Sequence, residues 1–330
     1  MSAPLIDMVA LGHPLVDVLT HETDDVVARS GVERGAMTMV DADRSDEIYA
    51  QLGPAQETSG GSAANTAVGV AAFGGRAAFI GRIADDTFGK VFAHDLRSAG
   101  VEFDVSPATD GAPTGRCLVI VAADAERTMC TYLGAGAEID PRDVDSDRVR
   151  GAAVTYLEGY LWDGPDAKEA IRRAASLARE AGRKVAMTLS DPFCVGRHRD
   201  EFRALIASDI DVLFANEEEI TMLYEVDDFD EAASRVRHDC EISALTRGAL
   251  GSVVVSGDQR HVIPAEPVAR VVDTTGAGDL YAAGVIYGLT HGHGLETCGR
   301  LGSLAAAEVI SHLGARPEVS LTERARPLLG

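Results

Sequence analysis

Basic charge is scarce in this 330-residue chain, and nearly all of it is arginine: Lys90, Lys168 and Lys184 are the only lysines. Thirty Lys and Arg stand against 52 Asp and Glu, for a formal net charge of −22. Such a surface repels phosphate backbones and anionic lipid, so neither a nucleic acid nor a membrane is expected as partner. The five cysteines (Cys117, Cys130, Cys194, Cys240, Cys298) are scattered, odd in number and form no C-x-x-C pair. This argues against a disulfide framework or a zinc site, and makes a reducing cytoplasm the expected location. No basic-plus-apolar leader precedes a small-residue cleavage site, and no apolar run reaches membrane-spanning length. The nine histidines show neither H-x-x-x-H nor H-E-x-x-H spacing; His291 and His293 flank a helix end, where they read as surface caps.

Two nucleotide-binding signatures are missing as well. The only Gly-Lys pair, Gly89-Lys90, is followed by Val91 and lacks the upstream glycine of a Walker A loop. Gly134-Ala135-Gly136 has Ile139 where a dinucleotide fingerprint needs its third glycine. Without a P-loop lysine, any bound phosphate must be met by backbone amides, a metal ion or an arginine.

What is present is 46% hydrophobic residues, 5% aromatics and 34 glycines, the profile of a globular enzyme. Short apolar runs alternate with helical periodicity, which predicts an α/β fold with a mostly parallel sheet and helices on both faces. Expected buried strands are Met8 to Leu11, Ala77 to Gly81, Ala153 to Leu157, Val185 to Leu189, Asp211 to Phe214 and Ile242 to Thr246. Expected helices are Asp86 to Ala99, Asp166 to Ala181 and Leu295 to His312, stopped at Gly100, Gly182 and Gly314. Two segments, about 18–40 and 114–133, alternate at strand period without long helices. They read either as a small antiparallel sheet projecting as a lid or as a meander on the sheet edge. No interdomain linker appears, so residues 1–330 are read as one domain.

Three segments carry chemistry. Asp273-Thr274-Thr275-Gly276-Ala277-Gly278-Asp279 lies between a β-branched run, Val268 to Val272, and an apolar helical pattern, Leu280 to Leu289. That context is strand, glycine turn, helix start. The amides of Gly276, Ala277 and Gly278 then form an anion nest at a helix N-terminus. Asp279 directly behind it is either an N-capping residue or a base for a hydroxyl that attacks a bound phosphate. In Ser59-Gly60-Gly61-Ser62-Ala63-Ala64-Asn65, the glycines allow close approach of a ligand and Asn65 offers a donor and an acceptor; alternatively Ser62 caps the helix that follows. Asp17 follows the first strand, at the sheet end where α/β proteins bind ligands, and its carboxylate suits two vicinal hydroxyls.

Together these segments resemble the ribokinase-like (PfkB) family of sugar and nucleoside kinases over essentially the whole chain. Gly60 through Gly89 is similar to the family's N-terminal signature and Asp273 to Asp279 to its C-terminal one. Asn216-Glu217-Glu218-Glu219 fits N-x-x-E, and Thr246-Arg247-Gly248 fits T-x-G. The resemblance implies a three-layer sandwich with a small β-sheet lid, and an ATP-dependent phosphotransferase acting on a CH₂OH group. Asp279 would be the base, with Gly276, Ala277 and Gly278 as anion hole. Asp17, Gly60, Gly61 and Asn65 would bind the acceptor. Asn216 and Glu219 would organise Mg²⁺ through water, or else merely start a helix, and Thr246 and Gly248 would touch ATP. Asp273 would lie where some members bind a monovalent cation such as K⁺. Monomers and lid-swapped homodimers both occur in the family.

Gly12 to Val18, Thr114 to Cys117, Thr188 to Phe193, and Ser62 in place of lysine resemble the adenosine kinase branch, with His13 departing from its asparagine. Met37, Met39, Tyr160, Leu161 and Trp162 are candidate walls for a purine, or core and lid packing. A kinase for a free sugar and a non-catalytic sugar- or nucleotide-sensing protein are the alternatives; the retained Asp279 argues against the latter.

Overall fold

The β-branched and alanine-rich runs assemble into a nine-stranded sheet. The computed structural model describes residues 4–122 and 126–329. The strands of this sheet are β1 (Ile6–Leu11), β5 (Ala77–Ile80), β6 (Val101–Glu102), β9 (Ala152–Glu158), β10 (Lys184–Thr188), β11 (Val212–Asn216), β12 (Ile242–Thr246), β13 (Ser252–Ser256) and β14 (Gln259–Ile263). Their order is β14-β13-β12-β11-β10-β9-β1-β5-β6, with every pairing parallel from β6 to β12 and the last two strands antiparallel. Strands buried on both faces need no polar alternation, which is why they read as continuous apolar runs.

A second sheet, ordered β3-β8-β7-β2-β4, contains β2 (Leu15–His21), β3 (Met37–Met39), β4 (Gln56–Gly60), β7 (Thr114–Val121) and β8 (Arg127–Gly134). The helices are α1 (Asp24–Ser30), α2 (Ala42–Tyr49), α3 (Ser62–Ala72), α4 (Thr87–Ser98), α5 (Ser146–Gly151), α6 (Pro165–Glu180), α7 (Pro192–Asp209), α8 (Glu217–Tyr224), α9 (Phe229–Val236), α10 (Ala277–Thr290), α11 (Leu295–Val309) and α12 (Leu321–Leu329). Val149 to Val236, from α5 to α9, supply the helical side of one core; α3, α4, α10 and α11 supply the other, across the sheet. The result is the expected helix–sheet–helix sandwich. Val16, Val18, Leu118, Ile120 and Cys130 of the small sheet join the second core with Val27 of α1 and Ile48 of α2. Its opposite face carries Leu19, Cys117, Val119, Val121 and Met129.

Several expectations need correction. The small sheet is mixed rather than antiparallel: β2 pairs in parallel with β7, and β3 with β8. Strands β2 and β7 both enter from the main sheet and run the same way, while β3, reached through α1, runs opposite to β2 and so alongside β8, the return strand of the β7–β8 hairpin. Gln56–Gly60 is a member the alternation did not reveal, because GluThrSer carries no apolar signal. Val268 to Val272 is not a strand. The amides of Val272 and Asp273 go instead to the Ile310 carbonyl. That same contact draws the chain out of α11, which ends at Val309, short of His312. At the C-terminus of α10, His291 does cap, its Nδ1 lying 2.9 Å from the Tyr287 carbonyl.

Candidate active site

The carboxyl ends of β1, β9, β10, β11 and β12 open onto one rim, and the N-termini of α3 and α10 point at it. Three cavities adjoin there. A cavity of about 540 Å³ lies between the small sheet and the rim; one of about 260 Å³ sits over β10 to β12; a third of about 560 Å³ runs between residues 246–251, the 265–271 segment and α11. Ser62, Ser190 and Asp279 line both the first and the second. Thr246, Thr274, Ala277, Gly278 and Tyr281 line both the second and the third.

Asp279 occupies the junction. It is the third residue of α10 and does not cap it; the N-cap is Gly276, in the left-handed region at φ 78°, with Ala315 Cβ packed where a side chain would project. The carboxylate accepts from Ser62 Oγ at 2.6 Å and from Asn65 Nδ2 at 2.9 Å. Ser62 therefore spends its hydroxyl on Asp279 rather than on capping α3, whose N-cap is Gly61. Burial pushes the Asp279 carboxyl up to about 6; the two hydrogen bonds hold it down, Glu158 raises it and Arg316 lowers it. Of the three nest amides, Ala277 N–H donates to the Thr274 carbonyl at 3.2 Å. Those of Gly276 and Gly278 find no acceptor among the described residues.

In the first cavity Asp17 presents a carboxylate that accepts no hydrogen bond from any described residue. Burial raises it to about 6 against the opposing pull of Arg316 and Arg127. Gly60 does not line the cavity; it is glycine because a Cβ there would overlap the Asp17 carboxylate. Gly61, at φ 97°, packs on the His13 carbonyl and starts α3. Asn65 turns its amide to Asp279, leaving Oδ1 buried without a partner. Above Asp17, the inward row of the small sheet continues as Leu19, Val119 and Met129. Tyr160 is the one purine-wall candidate that lines this cavity. Met37 and Met39 are 45% and 52% exposed on the edge strand, and Leu161 and Trp162 are core residues. Chain entry through a 3-10 turn at Gly159–Asp163 directs those two side chains inward.

On the other side, Asn216 and Glu219 face the second cavity and bind each other. Asn216 N and Nδ2 donate to Glu219 at 2.9 and 2.7 Å, while Glu219 N donates to Asn216 Oδ1 at 2.8 Å. This capping box starts α8 and also fixes both groups at the rim. Burial raises Glu219 to about 7, with Asp191 and Glu218 adding to the rise. No group of three His, Cys, Asp or Glu suited to a metal exists among the described residues. This donor set fits a Mg²⁺ carried by phosphate and water with Glu219 behind it, not a protein cage. Thr246 ends β12 and Gly248, at φ 55° with nothing against it, opens onto the apolar third cavity.

Asp273 anchors the loop before α10. Its oxygens accept from Thr275 N and Oγ1 at 3.0 and 2.8 Å and from Gly314 N at 2.8 Å, and Arg127 of β8 pairs with it at 2.6 Å. Arg127 also donates to Thr275 Oγ1 at 2.8 Å. The Asp273 carboxylate is thus paired with a guanidinium as well as with backbone amides.

Sequence reasoning missed Glu158, Arg127 and Arg316. Glu158, 1% exposed, receives His13 Nδ1 at 2.9 Å and Ala63 N at 3.0 Å, tying β1, β9 and α3 together. The only signal was a lone acid ending an apolar strand; its partners lie 95 and 145 residues away in sequence.

A mostly parallel sheet between helices, with a small second sheet and an apolar cavity beside a helix N-terminus, is the architecture of the ribokinase-like fold. The model of the pfkB family carbohydrate kinases matches residues 36–321, and the chain belongs to that family. It is an ATP-dependent kinase. The chain is 49% identical to the adenosine kinase of Sinorhizobium meliloti, with a TM-score of 0.90 over 98% of this chain and 99% of that one. It is 46% identical to a probable sugar kinase of Rhizobium etli CFN 42, with a TM-score of 0.91 over 98% of each chain. Adenosine kinase of Saccharomyces cerevisiae is 30% identical over 95% of this chain and 96% of its own length.

Proposed function

We propose that the protein transfers the γ-phosphoryl group of ATP to the 5′-hydroxyl of adenosine, giving AMP and ADP. The observation that carries this reading is the run of three adjoining cavities with Asp279 at the first boundary and Ala277 and Gly278 at the second. The apolar third cavity takes the nucleotide, with Thr246 and Gly248 at its mouth. The first takes the acceptor, with Asp17 on its two ring hydroxyls. Asp279 accepts the proton of the attacking hydroxyl as its oxygen bonds to the γ-phosphorus, and the bond to ADP breaks with the electron pair leaving on ADP. The Gly276 and Gly278 amides stabilise the charge that builds on the transferring group. Asn216 and Glu219 would hold a Mg²⁺ through water, and that ion would supply positive charge to offset the phosphates of ATP. The small sheet acts as a lid over the acceptor.

The choice of a nucleoside rests on the lid's inner face. Leu19, Val119 and Met129 form an apolar band beyond Asp17, suited to a flat base, that a free pentose would leave uncovered. The adenosine kinases among the relatives favour the same choice. The similarity to a probable sugar kinase keeps a free-sugar acceptor as the second reading. An ATP-consumption screen over adenosine, other nucleosides, pentoses and hexoses decides between them. Faster turnover of ribose or fructose than of adenosine would overturn the acceptor and leave the kinase chemistry intact.

A further inference from the structure

Arg316 lies on the loop between α11 and α12, outside every motif considered above. Its Nε and Nη2 donate to the Ser59 carbonyl at 3.1 and 2.6 Å, Nη2 to Ser59 Oγ at 3.0 Å, and Nη1 to the Ala64 carbonyl at 2.9 Å. Ser59 in turn gives its N and Oγ to Asp95 of α4 at 2.7 and 2.6 Å. The fork therefore spans the Gly60–Gly61 turn, from the last residues of β4 to the first turn of α3. The two residues before it reach the anion loop: Gly314 N holds Asp273, and Ala315 packs on Gly276. Three consecutive residues thus fasten the acceptor-binding turn to the phosphate nest.

The guanidinium lines the acceptor cavity, yet no carboxylate lies within ion-pair distance of it among the described residues. A half-buried cation bound only to carbonyl and hydroxyl oxygens is costly, and a neutral side chain could serve those acceptors at lower cost. Its charge acts at longer range, on Asp17 and Asp279. Around that pair the other charged or titratable groups are Arg127 of β8, Cys117 of β7, Tyr156 and Glu158 of β9, Tyr160 of the turn after it and Asp95 of α4. Arg127 is committed to Asp273, so Arg316 is the one positive charge of this set with no carboxylate of its own.

We propose that Arg316 is a positioning residue for phosphoryl transfer, holding the Ser59–Ala64 turn in register with the anion nest and keeping Asp17 and Asp279 ionised together. This rests on Asp279 being the base. Burial brings the guanidinium itself down to about 10, so it stays charged through neutral pH.

Two substitutions separate the two parts of the role. Arg316→Gln removes the charge; Arg316→Lys keeps it but loses the fork. With adenosine and Mg²⁺-ATP, the acid limb of kcat/KM in Arg316→Gln should move up by on the order of one pH unit, with a raised acceptor KM. In Arg316→Lys the limb should stay in place while acceptor KM rises and ATP KM holds. A limb that is unmoved in Arg316→Gln, or moved equally in both variants, overturns the proposal. Should Arg316→Gln not fold, an acid limb displaced in Arg316→Lys refutes the charge role alone. Absence of turnover by the wild type with every nucleoside and sugar, or full activity of Asp279→Asn, would instead strike down the functional reading beneath it.

Discussion

Replacing Asp279 with asparagine separates catalysis from folding, because the two should respond with opposite signs. The site accommodates the amide: Oδ1 can still accept from Asn65 Nδ2, while the new NH₂ donates to Ser62 Oγ, whose hydroxyl turns to accept. What is lost is the proton acceptor of the proposed mechanism, and kcat should fall by on the order of 10²–10⁴. Stability should rise. The Asp279 carboxyl, raised from 3.8 to about 6, favours the folded state while protonated and withdraws that advantage as pH climbs from 3.8 through 6. Above pH 6 the ionised carboxylate costs the native state on the order of 3 kcal/mol, a cost the amide does not carry. Thermal melts at pH 7 should therefore place the variant a few degrees above the wild type, with the gap closing toward pH 4. Initial-rate assays at saturating adenosine and ATP supply the other half. A variant with near-wild-type kcat would refute the assignment of the base, and one that melts lower would show that its lost activity reflects misfolding.

The remaining expectations address the neighbouring groups. Asp17→Ala should raise acceptor KM, most for acceptors carrying both vicinal hydroxyls; unchanged discrimination between such acceptors and their deoxy analogues would place Asp17 elsewhere. Gly60→Ala should force the Asp17 carboxylate aside, costing about 1–3 kcal/mol of stability and raising acceptor KM while ATP KM holds, measured by melts and steady-state kinetics. Glu219→Gln should raise the Mg²⁺ concentration needed for half-maximal rate, and an unaltered metal titration would confine Glu219 to its capping role.

Local chemistry was legible along the chain. The parallel strands announced themselves as apolar runs because both faces are covered, and Gly100 and Gly182 stopped their helices by accepting φ of 85° and 67°. The glycine turn and helix start before Asp279 could be read because they are contiguous in sequence. Tertiary structure alone decided which distant groups surround that aspartate. Ser62 and Asn65 stood out within their own segment, but they lie 217 and 214 residues before it, and nothing local joined them to Asp279. The same separation concealed Arg127 on Asp273 and Arg316 on Ser59, 257 residues away. It also settled which side of the 3-10 turn carries Tyr160 to the acceptor and which sends Trp162 into the core. Periodicity reports the face a residue shows its own element; a charge's partner, and hence its ionisation, depends on how the elements are stacked.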